Sequence, residues 1–407
     1  MKFSELGVPL SGSQAKKWRV LAITSVAIVL SLTTWFSATA VLPELRDVHG
    51  LSPRQSGWLT NAVQLGFVMG ALVSSLLSIP DRYPLTKLMA LASLSAGLFN
   101  LSLLAAPSFV SLLGARFLTG ISLALIYPPA MKFIATWFLT GRGLAMGAMV
   151  GALTLGSALP HLLRAANFSF DWQMVILVSS IFALIGAVIF GIFSKEGPHP
   201  FGKTKVDPRQ ITQILRNRPV MLANLGYFGH MWELYAMWGW ILAYISAARP
   251  EDSLALVSAL AFGVIALGAP SSVLAGLAAD RFGRPTIAGA CMVVSGLSSV
   301  LIGFAYGQPL WVLGAVIFVW GFTVVADSAQ FSAMVTEFSD QSLVGTALTF
   351  QMGVGFLITV FTVWLVPVVV DLLGSWRWSF LVLAPGPLIG VIAMLKLRME
   401  THKGAST

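Results

Sequence analysis

Two ionisable side chains that could exchange a proton stand three residues apart in a long apolar segment of this 407-residue chain. Glu233 and His230 share one helix face at this spacing, and Asp327 lies in a second apolar segment. A carboxylate in a partly dry cavity holds a proton more readily than in water, and a neighbouring histidine responds near neutral pH. We expect these three residues to bind and release protons; the alternative for Glu233 is a structural hydrogen-bond network.

The same three residues could hold a divalent metal, but carboxylate–histidine pairs in membrane spans more often form proton relays. The sequence contains no His-Glu-x-x-His metal motif and no Walker loop for a nucleotide. The single cysteine, Cys291, excludes an internal disulfide framework. We therefore expect neither a metal nor a cofactor.

Further polar residues lie inside apolar segments. Arg116 is a candidate for proton coupling, and Lys132 either binds substrate or extends to the membrane surface. Asp327 shares a polar stripe with Thr323 and Gln330, and could contact substrate or pair with Lys132. Uncharged polar residues could bind a small solute, although each alone more often packs helices together. The substrate-binding candidates are Asn61, Gln64, Tyr127, Lys132, Gln330 and Gln351.

The composition of the chain indicates the class of structure that holds these residues in place. Hydrophobic residues make up 57% of the chain and charged residues 10%, whereas soluble proteins carry about 25% charged residues. The mean hydropathy is +0.83. The apolar runs are continuous, which excludes a β-barrel, so we predict an all-α membrane protein of twelve transmembrane helices. The predicted spans are 20–42, 55–79, 88–106, 109–137, 143–164, 172–193, 220–246, 254–278, 286–305, 309–335, 343–369 and 377–396.

Lysine and arginine residues indicate the orientation. Eighteen of the 25 fall in segments on the side of the N-terminus, five on the opposite side, and Arg116 and Lys132 inside the fourth span. Positive loops face the cytoplasm, so both termini are predicted to be cytoplasmic. The net charge of +9 is then a topology signal, and we expect no nucleic-acid partner.

The longest polar break divides the chain into two sets of six spans. We predict a six-helix bundle over 1–193, a cytoplasmic linker loop over 194–219 and a second six-helix bundle over 220–407. Residues 208–218 form either a short amphipathic helix, with Ile211, Ile214 and Leu215 facing lipid, or a solvated linker.

The two bundles are related by an internal repeat with an offset near 200 residues. Asp81-Arg82 matches Asp280-Arg281, and Leu113-Gly114-Ala115 matches Leu313-Gly314-Ala315. Two six-helix repeats are the architecture of an alternating-access transporter, with the substrate site between the halves.

A loop motif follows the eighth predicted span. It reads Gly276-Leu-Ala-Ala-Asp280-Arg281-Phe-Gly283-Arg284 and resembles the signature Gly-x-x-x-Asp-Arg-x-Gly-Arg of the major facilitator superfamily. Gly276 permits close helix approach and Gly283 a tight turn, while Asp280 can take a helix N-terminus or an arginine. Such a cluster can latch one conformation and release in the other.

The first-half copy of the motif keeps Asp81 and Arg82 but replaces its glycines with Leu77 and Pro84. The predicted conformational latch consists of residues from both copies of the motif: Asp81, Arg82, Gly276, Asp280, Arg281, Gly283 and Arg284. The fourth span also carries Arg116-Phe-Leu-Thr-Gly120, which resembles the superfamily's Arg-x-x-x-Gly signature; some proton-coupled members use this arginine.

The resemblance implies a secondary transporter whose cavity is lined by helices 1, 2, 4 and 5 and their repeat mates 7, 8, 10 and 11. Within the superfamily the chain is similar to bacterial permeases for small anions, such as the nitrate and cyanate groups. Nitrate porters carry an arginine in the second and eighth spans, and the predicted spans 55–79 and 254–278 contain none.

The leading hypothesis is a proton-coupled permease for a small organic or inorganic anion. We expect it in the bacterial inner membrane as a monomer, with the substrate, protons and lipid as its partners. The alternative is an antiporter that exports amphipathic compounds, which the acids and abundant aromatic residues also fit. An enzyme is not expected, because no clustered acid–base or metal constellation appears in the sequence.

Overall fold

Twelve long helices occur in the part of the chain that the structure describes, as the apolar runs predict. The computed structural model describes residues 12–138, 142–166, 171–199, 211–340 and 343–404. We number the long helices in chain order: α1 (Gly12–Ala40), α2 (Pro53–Leu76), α3 (Leu85–Ala105), α4 (Phe109–Ala135), α5 (Arg142–Ala165), α6 (Trp172–Phe193), α7 (Arg218–Ala248), α8 (Leu254–Phe282), α9 (Arg284–Ala305), α10 (Leu310–Phe338), α11 (Val344–Leu373) and α12 (Ser379–Thr401).

Local sequence determines where several of these helices begin and end. Ser52 and Gln55 form a capping box at the start of α2, and Pro53 occupies the first turn, where its missing N–H is not needed. Gly374 ends α11 in the left-handed conformation, with φ of +63°, which glycine adopts without steric cost. The polar breaks thus stop the apolar runs at defined residues.

Eleven of the long helices are long and apolar enough to cross a membrane, and α7 is the exception. This helix has 31 residues, and Asn224, His230 and Glu233 are among its many buried side chains. Because polar and aromatic residues lower its hydropathy, α7 is held by the bundle around it more than by lipid.

The helices form two groups of six, α1–α6 (the first half) and α7–α12 (the second half), and the same helix contact recurs in both. A Cβ added to Gly120 of α4 would lie 2.9 Å from the carbonyl carbon of Val63 on α2. A Cβ added to Gly321 of α10 would lie 2.8 Å from that of Val264 on α8. Gly321 follows Gly120 by 201 residues, and Val264 follows Val63 by the same number. The internal repeat predicted from the sequence therefore extends to the way in which equivalent helices pack against each other.

Helices α4 and α10 are interrupted at equivalent positions. The first stretch of α4 ends at Ala124 and the next begins at Tyr127, while α10 stops at Thr323 and resumes at Ser328. Asp327 sits at this second break. Discontinuous helices are where transporters place binding sites, since the break frees backbone groups in the middle of the membrane.

Two seams join the halves. Along α2 and α11, the Asn61 side chain donates to the Val360 carbonyl at 3.0 Å, and the hydroxyls of Ser75 and Thr349 are 3.5 Å apart. Along α5 and α8, Gly151 packs on Ala269 and Thr154 on Gly268. The α2–α11 contacts run from one end of the helices toward the other, so the halves are closed against each other along this seam.

We call the end of the bundle that bears Arg82, Arg281 and Arg284 the basic face, and the other end the opposite face. Between the halves, residues 200–210 of the predicted linker lie outside the described residues. A short helix, Ile211–Arg216, precedes α7, and its Ile214 is buried against the second half. Ile214 therefore does not face lipid, which the alternative of an amphipathic helix required, and Leu215 is exposed.

Candidate functional site

Four aromatic side chains meet where the two halves join near the middle of the bundle. Trp35 of α1 stacks on Tyr235 of α7, with ring centroids 5.4 Å apart and an angle of 24° between the planes. Phe67 of α2 lies 4.3 Å from Phe356 of α11, and Trp35 touches both rings. All four are buried. We call this set the aromatic junction; each half contributes two rings, so it closes the path between the halves.

Polar residues predicted to bind substrate lie on helices that face this junction. Gln64 stands one turn before Phe67 on α2, and its buried Oε1 has no hydrogen-bond partner among the described residues. The same holds for Oδ1 of Asn61 and Nε2 of Gln351, although the Gln351 Oε1 accepts from Ser332. Tyr127 begins the second stretch of α4 and is buried. Asn61, Gln64 and Gln351 thus each have an unpaired amide atom on helices that line the surface where the halves meet.

The predicted proton-binding residues converge inside the second half. The Nδ1 of His230 lies 2.8 Å from Oδ1 of Asp327, at the break in α10. The Glu233 carboxylate accepts hydrogen bonds from the Ser295 hydroxyl at 2.9 Å and from the Trp320 indole at 2.7 Å. All of these side chains are buried. We call His230, Glu233, Ser295, Trp320 and Asp327 the acid cluster.

Side chains on opposite sides of α7 belong to the acid cluster and to the aromatic junction. Glu233 turns toward α9 and α10, whereas Tyr235, two residues later, stacks on Trp35 of the first half. The imidazole of His230 lies 6.1 Å from the Tyr227 ring and 5.7 Å from the Phe331 ring, and these two rings are 6.2 Å apart, so the three form a triangle. A rigid helix thus connects the acid cluster to the aromatic junction within a few residues. No group of three or more His, Cys, Asp or Glu side chains suited to a metal occurs in the described part of the chain.

Arg116 is buried in the first half against α1. Its guanidinium donates to the Thr34 carbonyl at 2.8 Å and to the Trp35 carbonyl, and it lies 3.5 Å from Oδ1 of Asn100. Asn100 Oδ1 also accepts from Ser37 at 2.6 Å. Arg116 therefore holds the stretch of α1 that presents Trp35 to the junction.

Lys132 and Gln330, two of the predicted substrate ligands, contact latch residues in this conformation. Lys132 forms an ion pair with Asp81 in the loop after α2. The Gln330 Oε1 accepts from Arg284 at 2.9 Å, and Arg284 also bonds Glu337 at 2.8 Å. Both contacts lie toward the basic face.

The other predicted latch residues lie at the same end. Gly283 adopts φ of +88° at the turn between α8 and α9, which explains a glycine there. Asp280 lies 3.8 Å from Arg284, and the Arg281 guanidinium sits over the Phe282 ring. A Cβ on Gly276 would come 3.9 Å from the Gln330 amide, and Arg82 is exposed.

Sequence reasoning missed three of the four rings of the aromatic junction and two members of the acid cluster. Trp320 and Ser295 sit in apolar runs among many similar residues, and only the fold brings them to Glu233. Trp35, Phe67 and Phe356 gave no signal of their own. The predicted repeat was a usable clue, because the breaks in α4 and α10 differ by about its offset.

The chain belongs to the Major Facilitator Superfamily, whose family model matches residues 24–268 and 250–407. The predicted family and the predicted fold of twelve helices in two repeats are thereby confirmed. The protein is a multi-pass membrane transporter of small solutes and not an enzyme.

Curated relatives are distant but extend along most of the chain. A hexuronate transporter of Bacillus subtilis is 23% identical, over 93% of this chain and 94% of its own length. A 4-hydroxybenzoate transporter, PcaK, of Pseudomonas aeruginosa is 22% identical, over 88% and 86%. A 3-(3-hydroxy-phenyl)propionate transporter of Escherichia coli is 25% identical over 63% of each chain.

Solved structures show the same fold. A bacterial homologue of the human lysosomal transporter Spinster, inward-facing and occupied, superposes with a TM-score of 0.73 at 14% identity, covering 94% of this chain and 96% of that one. The xylose transporter XylE of E. coli, in a partially occluded inward-open conformation, gives 0.72 at 15% identity, covering 93% and 97%.

Proposed function

We propose that this protein is a proton-coupled transporter of a small organic carboxylate in the bacterial inner membrane, working as a monomer with both termini in the cytoplasm. The acid cluster carries the proposal. Ionisable residues inside membrane spans are costly, and they persist where a proton or ion must bind. His230 and Asp327 meet at the break of α10, and Glu233 bonds Trp320 of the same helix. His230 and Glu233 stand on α7, whose other side reaches the junction between the halves.

The substrate class is supported by the relatives and by the interface. Each of the three relatives described above is named as a transporter of a carboxylic acid. Amide and hydroxyl donors of Asn61, Gln64, Tyr127 and Gln351 are the groups that a carboxylate would meet once the halves part. The aromatic junction would pack against the apolar body of such a molecule. We place Lys132 and Gln330 in the latch, because Asp81 and Arg284 already engage them.

The mechanism is a rocking of α1–α6 against α7–α12. Protonation of the acid cluster removes buried negative charge from the second half, which lowers the cost of rearranging α7. Because Tyr235 lies on this helix, that rearrangement loosens its stack with Trp35 and lets the halves separate toward one face. Arg116 keeps Trp35 in place in the first half meanwhile.

The test is uptake by proteoliposomes of radiolabelled 4-hydroxybenzoate, 3-phenylpropionate and glucuronate under an inward proton gradient. In Glu233→Gln, pH-driven accumulation disappears while counterflow exchange continues, because exchange needs no net proton movement. The matched control is Glu251→Gln, an exposed carboxylate after α7 paired with Arg249, which keeps both activities. Full pH-driven accumulation in Glu233→Gln would remove Glu233 from coupling.

A second function, export of amphipathic compounds in exchange for protons, is favoured by the aromatic junction. A thermal-shift screen at about pH 5.5 and pH 7.5 separates the two, because a ligand of the folded state raises the melting temperature. Shifts with small carboxylates, larger at the lower pH, support import. Shifts confined to bulky amphipathic compounds support export.

A further inference from the structure

The two oxygens of the Glu233 carboxylate face chemically different partners. Oε1 accepts from the indole N–H of Trp320 at 2.7 Å, and an indole nitrogen can only donate. Oε2 accepts from the hydroxyl of Ser295 at 2.9 Å, and a hydroxyl can both donate and accept. The environment is therefore asymmetric, and the asymmetry decides where a proton can go.

We propose that Ser295 is the positioning residue for proton binding: the proton of Glu233 resides on Oε2, and the Ser295 hydroxyl turns to accept its hydrogen bond. The inference rests on the proposed proton coupling at Glu233 and specifies its atoms. A proton on Oε1 would instead oppose the Trp320 N–H, which would leave a buried donor without an acceptor. A proton on Oε2 keeps the Trp320 bond intact.

Ser295 has a second acceptor available for its own hydrogen. The carbonyl of Met292 lies 3.4 Å from its oxygen, one turn back on α9. In the ionised state the hydroxyl donates to Oε2. When Oε2 takes up a proton, the new O–H donates to the serine oxygen and the serine hydrogen turns to the Met292 carbonyl. One O–H bond forms at the carboxylate, none breaks at the serine, and every donor keeps an acceptor in both states.

The surroundings leave this role to Ser295. Ser298 and Ser299, on the same helix, donate to the backbone carbonyls of Val294 and Gly296. The other titratable groups around Glu233 are His230 on its own helix, Asp327 on α10 and Cys291 on α9. His230 and Asp327 contact each other, so neither is needed to complete the hydrogen bonds of Glu233.

Infrared difference spectroscopy on the full-length protein between acidic and neutral pH tests the assignment. The carbonyl stretch of protonated Glu233 is identified as the band lost in Glu233→Gln. In Ser295→Ala this band moves to higher wavenumber, since the O–H has lost its acceptor. Ser295→Thr, which keeps a hydroxyl, restores the original position. The matched control Ser299→Ala leaves the band unchanged.

The possible results separate the two proposals. A Glu233 band that stays in place in Ser295→Ala overturns the role of Ser295 while leaving proton binding at Glu233 intact. The lack of any band that depends on Glu233, over the pH range in which uptake changes, contradicts the proposed coupling itself. If Ser295→Ala does not fold, Ser295→Cys serves instead, because a thiol is a weak acceptor and the band should move part of the way.

Discussion

Trp35 and Tyr235 stack across the two halves, one ring from α1 and one from α7, with their centroids 5.4 Å apart. An aromatic pair of this kind contributes about 0.5–1.5 kcal/mol beyond the burial of its area. Because both rings are buried between parts that must separate, this energy favours the closed conformation.

We predict that Trp35→Leu raises the fraction of open protein about two- to tenfold, the equivalent of the stacking energy. The measurement is the rate of maleimide labelling of a cysteine at Thr60, a buried position on α2 facing α7, in a Cys291→Ala background. Trp311→Leu, which removes a tryptophan with 76% of its surface exposed, is the control and leaves labelling unchanged. Equal labelling in Trp35→Leu and the parent would show that the stack does not hold the closed state.

The ion pair between Lys132 and Asp81 gives a second prediction. Lys132→Gln and Asp81→Asn each slow transport about two- to fivefold, because a partly exposed pair contributes up to about 1 kcal/mol. Exchange of the charges in Asp81→Lys/Lys132→Asp restores the rate. Lys87→Gln, at an exposed position on α3 outside the latch, has no effect in the same uptake assay. A folded but inactive charge-exchange variant would indicate that Lys132 also acts elsewhere, for example on substrate.

Close packing of α2 and α4 at Gly120 gives a third prediction. Gly120→Ala places a methyl group against the Val63 carbonyl and lowers stability by about 1–3 kcal/mol or more, as overpacking does. Gly114→Ala, six residues earlier on α4, meets nothing within 4 Å and is tolerated. Thermal unfolding in detergent compares the two. A similar melting temperature for both would mean that the helices part easily at this contact.

Arg284 gives a fourth prediction. Its guanidinium joins Glu337 and Gln330 of α10 to the turn between α8 and α9. Arg284→Lys keeps the charge but cannot reproduce the forked geometry, so we expect a lower melting temperature at an unchanged net charge. Arg281→Lys is the control, because that side chain contacts only the neighbouring Phe282 ring among the partners described. Equal melting temperatures for Arg284→Lys and Arg281→Lys would show that Arg284 stabilises the protein through its charge alone.

Much of this arrangement was predictable, because it depends on local properties of the sequence. Apolar runs longer than a bilayer crossing define the spans, and the spacing of His230 and Glu233 places both on one helix face. The partners of charged groups were not predictable. Asp327 is close to His230, and Lys132 pairs with Asp81, since tertiary packing decides which of several opposite charges meet.

The break in α10 explains another difference. The predicted polar stripe of Thr323, Asp327 and Gln330 assumes a continuous helix, but the helix is interrupted between Thr323 and Ser328. Asp327 therefore turns to His230, while Gln330 belongs to a new stretch and reaches Arg284. None of residues 324–327 is a proline, so no helix-breaking residue in the sequence indicated the interruption.

The polar character of α7 also bears on how the protein is made. A segment that carries Asn224, His230 and Glu233 partitions poorly into lipid by itself. The partners of Glu233 and His230 lie on α9 and α10, which leave the ribosome later. During synthesis α7 must therefore remain at a protein surface, against helices already inserted or within the translocation machinery, until α9 and α10 arrive. Insertion of α7 is then coupled to that of α9 and α10, which supply the partners of its polar side chains.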